Sequence, residues 1–225
     1  MSCAGGPDLV QNGLVVCFDL SSNKSYRGSG AIINDLSNKS NIGTLINSPT
    51  YSSINKGRLT FNGTNQYIST NIYANNIGIY NTSYTAEAVF SASNAGAFDS
   101  MVFGSLAGGQ ARKGWHLGMR NNTFYFGQYG NDFGGGTAVS NIIYHIIWVL
   151  NLNVNTGYIY VNGRLVASGG LSSFIPDNPI WLAQAYDVNT YFGGDIYLAR
   201  IYNRVLSQTE ISQNYNALKG RFLLT

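Results

Sequence analysis

The stretch GGDIYLARIYNRVLSQTEI, residues 193–211, contains the clearest signals for the fold of this chain. Between Asp195 and Tyr202 the side chains are almost all aliphatic or aromatic, which is typical of a strand that is covered on both faces. Ser207 then precedes Glu210 by three residues, which is the spacing of a capping box. The stretch therefore predicts a buried strand that is followed by the start of a helix.

The predicted helix is amphipathic and short. Leu206 and Ile211 occupy the two positions of a hydrophobic staple around the capping box. Ile211, Tyr215 and Leu218 recur at helical spacing and share one face, while Gly220 is typical of a C-terminal stop. We expect a helix of about ten residues that packs on one side, since a single face is apolar.

The pattern of the rest of the chain predicts strands that are joined by Gly-rich and Asn-rich turns. Asn162-Gly163 separates two short apolar runs, and this dipeptide favours the type I′ turn of a hairpin because both residues tolerate positive φ. The other predicted strands cover residues 14–19, 58–61, 67–70, 84–92, 100–103, 115–120, 123–129, 142–152, 158–161, 164–167 and 180–185. Many short strands at this spacing indicate a β-sandwich or jelly roll.

The composition agrees with a single all-β domain and excludes several classes of protein. The chain has 225 residues, 27 of them Gly and 16 Tyr, and only 10% are charged. The net charge of +3 is small and the basic residues are scattered, so no basic stripe indicates nucleic-acid binding. Two cysteines are too few for a disulfide framework, and Cys17, between Val16 and Phe18, is expected to be a buried structural residue.

No targeting segment is visible in the sequence. Residues 1–6 lack a basic stretch followed by an apolar run, and no apolar stretch approaches the roughly 20 residues of a membrane span. We therefore expect a soluble protein that is made in the cytoplasm and does not bind a membrane.

The closing stretch and the first third of the chain resemble laminin-G-like domains of the concanavalin A-like lectin/glucanase superfamily, of the type found in bacteriophage virion proteins. The runs that carry the resemblance are residues 8–19, 24–30, 35–45, 58–68 and 194–217. The resemblance implies an all-β, concanavalin A-like jelly-roll sandwich of two antiparallel sheets with one short C-terminal helix. It also implies an N-terminal arm over residues 1–12 and a single domain over residues 13–225.

This fold includes glycoside hydrolases, but the sequence predicts no catalytic residues. Retaining hydrolysis needs two carboxyl groups about 5 to 5.5 Å apart. Glu210 belongs to the predicted cap, and the same-face neighbours of Glu87 are Thr85 and Val89. His116 and His145 lie inside predicted strands and are read as structural, and the two Cys and two His show no zinc-ligand spacing. We therefore predict a protein that is not an enzyme and has no zinc site.

The resemblance also raises the question of calcium, because related domains hold this ion through Asp and Asn oxygens in rim loops. Asn65 and Gln66 stand where the family often has acidic residues, which weakens a metal site there. Loop residues Asp99, Asp132 and Asp187 could contribute oxygen ligands, although turn formation is the default role of such residues. The sequence predicts no cofactor and leaves calcium open.

A carbohydrate site needs exposed aromatic faces together with amide or carboxylate groups. Two segments offer that chemistry, and their candidate binding residues are Tyr125, Gln128, Tyr129, Asn131 and Asp132 in the first and Tyr186, Asp187 and Asn189 in the second. The alternative is that these residues only form strands and turns.

Two functions follow as hypotheses. The first is a non-enzymatic structural protein of a bacteriophage virion, a capsid decoration or fibre component that assembles in many copies or as a homo-oligomer with other virion proteins. Its contacts would involve loops, edge strands or the arm from Met1 to Asp8. The second is a carbohydrate-binding lectin module or adhesin that contacts host glycans through the aromatic loops.

Overall fold

The chain folds as two stacked antiparallel sheets with one helix on the outside. The computed structural model describes residues 9–224, except for the side chain of Asn55. Its strands are β1 (Leu14–Asp19), β2 (Ile32–Asn34), β3 (Ile42–Ile46), β4 (Thr50–Ser52), β5 (Arg58–Asn62), β6 (Tyr67–Thr70), β7 (Tyr84–Ala92), β8 (Ser100–Gly104), β9 (His116–Arg120), β10 (Thr123–Gly127), β11 (Asp132–Gly135), β12 (Tyr144–Asn151), β13 (Thr156–Val161), β14 (Arg164–Gly170), β15 (Trp181–Leu182) and β16 (Gly193–Tyr202). The helices are a 3₁₀ turn (Ile54–Lys56), α1 (Ala74–Ile77) and α2 (Gln208–Phe222).

Within residues 9–224, each sheet has eight strands. Sheet A has the order β14-β13-β12-β7-β16-β5-β4, and β1 also pairs with β16. Sheet B has the order β11-β10-β9-β8-β15-β6-β3-β2. The predicted jelly-roll sandwich is therefore confirmed.

The closing strand β16 lies in the middle of sheet A. Its residues 194–202 pair with β7 on one edge, while β5 and β1 share the other edge. A bulge at Tyr197 places Tyr197 and Leu198 together on the outer face, whereas Ile196 and Ala199 face the core between the sheets. The prediction of a strand covered on both faces is confirmed, because sheet B covers one face and α2 covers the other.

Helix α2 begins as predicted and ends later than predicted. Ser207 Oγ accepts from the amide of Glu210, and the Glu210 carboxylate accepts from the amide of Ser207, so the capping box is present. The helix has 15 residues and passes through Gly220 to Phe222, with Leu223 as the left-handed C-cap at φ 53°. Buried Phe222, whose ring centroid lies 5.5 Å from that of Tyr197, holds the last turn on sheet A.

Several predicted strands are shorter than expected: 142–152 is Tyr144–Asn151 and 115–120 is His116–Arg120, and two others end at residues with positive φ. The predicted strand 123–129 ends at Gly127, because Tyr129 and Gly130 adopt positive φ and turn the chain. The predicted strand 180–185 keeps only Trp181–Leu182, since Ala183 has a φ of 63°. The Asn162-Gly163 turn is confirmed, with φ values of 48° and 79° between paired Val161 and Arg164.

The N-terminal region is described from Leu9 onward, so Cys3 and most of the predicted arm lie outside the described residues. Leu9 and Val10 are buried against α2, and the Val10 amide donates to Asn214 Oδ1 at 3.0 Å. Cys17 is fully buried on β1, as expected. In the described part of the chain, no helix is both long and apolar enough to cross a membrane.

Candidate functional site

Three loops of sheet B meet at one end of the sandwich. They are residues 105–115 between β8 and β9, residues 128–131 between β10 and β11, and residues 183–192 between β15 and β16. The Arg112 amide donates to the Tyr129 carbonyl at 3.0 Å, and the Ala107 amide donates to the Tyr186 carbonyl at 3.0 Å. These backbone bonds fix the first loop against the other two.

The β10–β11 turn holds Tyr129 in an unusual backbone conformation. Tyr129 and Gly130 form a two-residue hairpin loop with φ values of 59° and 67°, closed by a hydrogen bond from Gln128 N to Asn131 O at 3.3 Å. Positive φ at both central positions is the pattern of a type I′ turn, which normally contains Asn, Asp or Gly at the first position. A bulky residue there is strained, and such strain concentrates at functional sites.

The Tyr129 ring packs directly against the Tyr186 ring, and both rings line one groove. The two ring centroids are 5.4 Å apart and the rings are tilted by 56°. A cavity of about 520 Å³ opens beside them, and we call it the aromatic groove; its other walls are Leu106, Ala107, Gly108, Gly109, Asn178, Asp187 and Val188. Its size is within the range of small-ligand sites.

The His116 side chain packs against Tyr186, one of the two tyrosines of the groove. Its ring lies 4.7 Å from the Tyr186 ring and 5.5 Å from the Tyr125 ring, centroid to centroid. Its Nε2 atom is 3.3 Å from Asp132 Oδ1 and its Nδ1 atom is 3.2 Å from the Gly114 carbonyl. His116 is buried and both of its ring nitrogens have a partner, an arrangement that fits the structural role predicted for it.

The carboxylates around His116 differ in their electrostatic surroundings. Burial raises the pKa of Asp132, but hydrogen bonding and charge from His116 and the Gln128 amide bring the pKa below its ordinary value. The pKa of Asp99 is raised instead, because burial outweighs the attraction of Arg120. Burial and the Asp132 charge raise the pKa of Tyr125 to about 12, so this phenol stays protonated at neutral pH.

Arg120 connects this cluster to the next strand. Its Nε donates to Asp99 Oδ1 at 2.8 Å and its Nη1 to the Tyr125 hydroxyl at 2.7 Å. Its guanidinium carbon also lies 4.1 Å from the centroid of the Tyr125 ring, within the range of a cation–π contact. Arg120 and Asp99 therefore neutralise each other on the outer face of sheet B.

The structure brings some of the predicted binding residues together and separates others. Tyr125, Tyr129, Asp132 and Tyr186 belong to one connected cluster, and Asp187 lines the groove.

The remaining three predicted residues have other positions. Gln128 is 0% exposed and donates to the Tyr84 hydroxyl at 3.1 Å, so it cannot reach a ligand in the groove. Asn131 Oδ1 accepts from the Ser172 amide at 2.7 Å, and exposed Asn189 donates its amide to Asp187 Oδ1.

The groove wall at Leu106, Gly108 and Gly109 was not predicted from the sequence. The contacts of Arg120 were not predicted either. Gly108 and Gly109 both have positive φ, so the adjacent glycines mark the turn that shapes this wall. Nothing local in the sequence indicates that Arg120 contacts Asp99 and Tyr125, because strand pairing brings these side chains together.

The three aspartates considered for calcium contact different groups. Asp99 contacts Arg120, Asp132 contacts His116, and Asp187 Oδ1 accepts from the Asn189 amide. Among residues 9–224, no three Asp, Glu, His or Cys side chains are grouped as a metal site would require.

The two glutamates are engaged in structural contacts. Glu210 completes the capping box and accepts from Arg204 Nη1 at 2.9 Å. Glu87 is fully buried between sheet A and α2, where it is 2.8 Å from His145 Nε2, 3.0 Å from Asn214 Nδ2 and 3.2 Å from the Tyr202 hydroxyl. His145 is buried as expected, but among the described residues only its Nε2 has a hydrogen-bond partner, and its Nδ1 has none.

Two stacked antiparallel sheets with an aromatic groove in their rim loops define a lectin-like β-sandwich module. The chain belongs to the concanavalin A-like lectin/glucanases superfamily, because a laminin G family model of that description matches residues 62–212. No curated protein matches the chain in sequence.

Solved structures share the fold at low sequence identity. Trypanosoma rangeli sialidase, solved in complex with the inhibitor DANA, superimposes with a TM-score of 0.67 and 18% identity over 96% of this chain and 34% of the sialidase chain. Domain 4 of AbnA, a GH43 extracellular arabinanase from Geobacillus stearothermophilus solved in complex with arabinotriose, gives a TM-score of 0.65 and 14% identity over 92% of this chain and 100% of that domain chain. The present chain thus spans about a third of the sialidase chains that it matches.

Proposed function

We propose that this protein is a carbohydrate-binding module and that a saccharide binds in the aromatic groove. The observation that carries the proposal is the pair of Tyr129 and Tyr186 rings, 5.4 Å apart, beside a cavity of about 520 Å³. Aromatic faces with nearby amide and carboxylate groups suit sugar rings, which present C–H faces and hydroxyl rims. Asn178 and Asp187 supply such polar groups in the groove wall.

The strained turn at Tyr129 supports the same assignment. An aromatic residue in the left-handed region costs about 1–2 kcal/mol relative to an ordinary backbone conformation. The turn nevertheless contains Tyr where Asn or Gly would be relaxed, and it places that ring at the groove. A ligand contact would account for keeping this residue.

The structural neighbours support a saccharide as the first ligand class to test. The arabinanase domain was solved with arabinotriose, and it matches this chain over its whole length. Arabinotriose is therefore a reasonable first probe, alongside a broad glycan array.

We further propose that the protein binds its ligand without transforming it. Glu210 is held by Arg204 and the helix cap, and Glu87 lies beneath α2, away from the groove loops. Asp99 is paired with Arg120, and Asp132 with His116. These contacts favour structural roles for the carboxylates.

A glycan array with single-residue variants tests the binding proposal. Wild type is expected to bind at least one glycan, and Tyr129→Ala and Tyr186→Ala are expected to lose that binding, because each removes one ring from the groove. Tyr73→Ala is the matched control, since Tyr73 is 44% exposed and does not line the groove. Absence of binding by wild type to every glycan, including arabinotriose, would reject the proposal.

A role as a structural component of a bacteriophage particle is the second candidate. The resemblance of residues 8–19 and 194–217 to phage virion domains supports it. The edge strand β14, which exposes Leu165 and Val166, could contribute an assembly contact with other copies or other virion proteins. Both functions can coexist, because many copies on one particle would raise weak glycan binding through avidity.

Mass spectrometry of purified particles tests this second candidate. The chain should be found in many copies per particle, and its absence from particles would reject the virion role without affecting the glycan result.

A further inference from the structure

A second aromatic cluster lies on sheet B, beside the loop 183–192 that contributes Tyr186 to the aromatic groove. Its members are Tyr67, Trp181 and Tyr191, with ring centroids 5.7 Å apart for Tyr67 and Trp181 and 6.0 Å apart for Tyr67 and Tyr191. Each is partly exposed, and each alternates in sequence with a buried core residue: Ile68, Leu182 and Phe192 respectively. Side chains alternate between the faces of a strand, so Tyr67 on β6 and Trp181 on β15 start from the outer face of sheet B, although Tyr67 also packs against the core. Tyr191 joins them through its ring contact with Tyr67.

The loop 183–192 separates this second cluster from the groove. A Cβ on Gly104 of β8 would lie 1.8 Å from the Gln184 carbonyl oxygen, so the loop crosses directly over β8. Tyr186 on one side of the loop contacts His116, and Tyr191 on the other side contacts Tyr67.

The sheet register places the two sites close together. His116, Gly104 and Trp181 lie side by side on β9, β8 and β15. His116 and Trp181 are therefore two strand spacings apart, about 10 Å along the sheet. A ligand longer than one sugar unit could reach both sites.

Polar side chains lie beside the second cluster, as they do beside the aromatic groove. Tyr191 lines a cleft of about 170 Å³ together with Asn62, Ser93, Asn94 and Asp99. Asp99 also accepts from Arg120, which links the cleft to the cluster below the groove. Trp181 Nε1 is buried without an acceptor among the described residues, which leaves one donor unsatisfied.

From this arrangement we propose that Tyr67, Trp181 and Tyr191 form a second saccharide subsite and that one oligosaccharide chain occupies this subsite and the aromatic groove together. The proposal rests on the function proposed for the groove. Two linked contacts on one chain act with a high effective concentration, so a long oligosaccharide binds more tightly than a short one.

Tryptophan fluorescence can report occupation of the second subsite. Trp115 and Trp148 are 0% exposed, whereas Trp181 is partly exposed within the cluster. Titration with the hexasaccharides of arabinan, xylan, cellulose and mannan should change the emission of wild type for the series that binds. Trp181→Phe keeps an aromatic ring and should abolish this change while retaining binding. If the change survives in Trp181→Phe, it arises from the buried tryptophans and the proposal is overturned.

Calorimetry with disaccharides and hexasaccharides of the same series separates the two subsites. Wild type should bind the hexasaccharide about tenfold more tightly than the disaccharide, which corresponds to about 1.4 kcal/mol. Tyr191→Ala should lose most of that gain and leave disaccharide affinity unchanged, whereas Tyr186→Ala should weaken both ligands. Tyr191→Phe loses the hydroxyl that donates to the Val188 carbonyl but keeps the ring, so it should retain the length gain. The unchanged disaccharide affinity of Tyr191→Ala guards against loss of fold as the cause.

The outcomes distinguish this proposal from the function on which it rests. Equal affinity for the two lengths, or a length gain that persists in Tyr191→Ala, overturns the second subsite and leaves groove binding intact. No binding of either length of any series by wild type overturns the second subsite, and the proposed function falls with it only if the glycan array also shows no binding.

Discussion

At the scale of the single residue, Tyr129 combines a cost in backbone energy with a position in the candidate site. It is the first central residue of a type I′ turn, with a φ of 59°. Its ring contact with Tyr186 offsets only part of the backbone energy of the positive φ, since an aromatic pair contributes about 0.5–1.5 kcal/mol. Tyr129 is therefore a position where stability and binding are expected to conflict.

We predict that Tyr129→Asn leaves the free energy of unfolding unchanged or raises it by up to about 1 kcal/mol, because Asn tolerates positive φ. The same variant should lose glycan binding. Urea unfolding together with the glycan array measures both effects.

The reverse substitution at another turn provides the control. Asn121 has a φ of 48° and is exposed in the β9–β10 turn, away from the groove. Asn121→Tyr should cost about 1–2 kcal/mol, which measures the strain directly. A clear loss of stability in Tyr129→Asn would mean that the tyrosine serves packing instead.

Tyr129 and Tyr186, both predicted as binding residues, lie together at the groove, whereas Gln128 is buried for a local reason. Tyr125 points outward between core residues Phe124 and Phe126, so continued alternation turns Gln128 inward. The contact between Tyr129 and Tyr186 joins loops that are far apart in sequence, which local pattern does not reveal. The Tyr129-Gly130 turn also lacks the Asn or Asp that identified Asn162-Gly163 as a turn.

At the scale of the element, the start of helix α2 could be predicted from the sequence, whereas its end could not. The capping box at Ser207 and Glu210 is a local signal, and it is present in the structure. The C-terminal end depends on tertiary packing of Phe222 on Tyr197, which overrides the low helix propensity of Gly220. Arg204 adds a contact that the local pattern does not give, since it donates to both Glu210 oxygens.

We predict that the capping contacts stabilise the protein measurably. Ser207→Ala should lower the free energy of unfolding by about 0.5–2 kcal/mol at neutral pH. Glu210→Gln can keep the capping hydrogen bond but loses the ion pair with Arg204, so it should cost less than Glu210→Ala.

The contribution of Glu210 should also depend on pH. Hydrogen bonding to Arg204 lowers the pKa of Glu210 from 4.5 to about 2. The stabilisation is therefore fully present above pH 4.5 and is lost as pH falls toward 2. Urea midpoints should show the difference between wild type and Glu210→Gln shrinking over that range. A difference that does not change with pH would contradict the assigned ion pair.

At the scale of the whole molecule, a buried charged network holds α2 on sheet A. Arg200 and Glu87 are both fully buried, 3.4 Å apart, and Asn214 of α2 donates to Glu87. Burial raises the pKa of Glu87, but Arg200, His145 and Tyr202 together bring it below its ordinary value. Glu87 is therefore ionised in the folded protein at neutral pH.

We predict that Glu87→Gln lowers the free energy of unfolding by about 3–5 kcal/mol near neutral pH, because it removes the carboxylate that interacts most strongly with buried Arg200. A carboxylate whose pKa is lowered by folding stabilises the protein above 4.5, the pKa of the unfolded state. This stabilisation is lost as pH falls. The difference between wild type and Glu87→Gln should therefore shrink below pH 4.5.

Urea unfolding at neutral and acidic pH measures this effect. Asp177→Asn is the control, since the Asp177 side chain is 62% exposed and its pair with Lys113 should contribute about 0–1 kcal/mol. Equal effects of the two substitutions would contradict the role of the network.

The two-sheet architecture was predictable because strand spacing, turn residues and the closing stretch all agree. The pairing of strands was not, because β16 contacts β1, β5 and β7, which come from distant parts of the chain. The contacts of Glu87 could not be predicted for the same reason, since its partners Arg200 and Asn214 lie more than 100 residues away in the chain.

The central place of β16 also bears on how the chain reaches its fold during synthesis. β5 and β7 are made long before residues 193–202, yet each pairs with β16 along one edge. Until that stretch leaves the ribosome, both earlier strands keep an open edge that can pair with other chains. Folding of sheet A must therefore wait for late-synthesised residues, and the dominance of such distant contacts predicts slow folding.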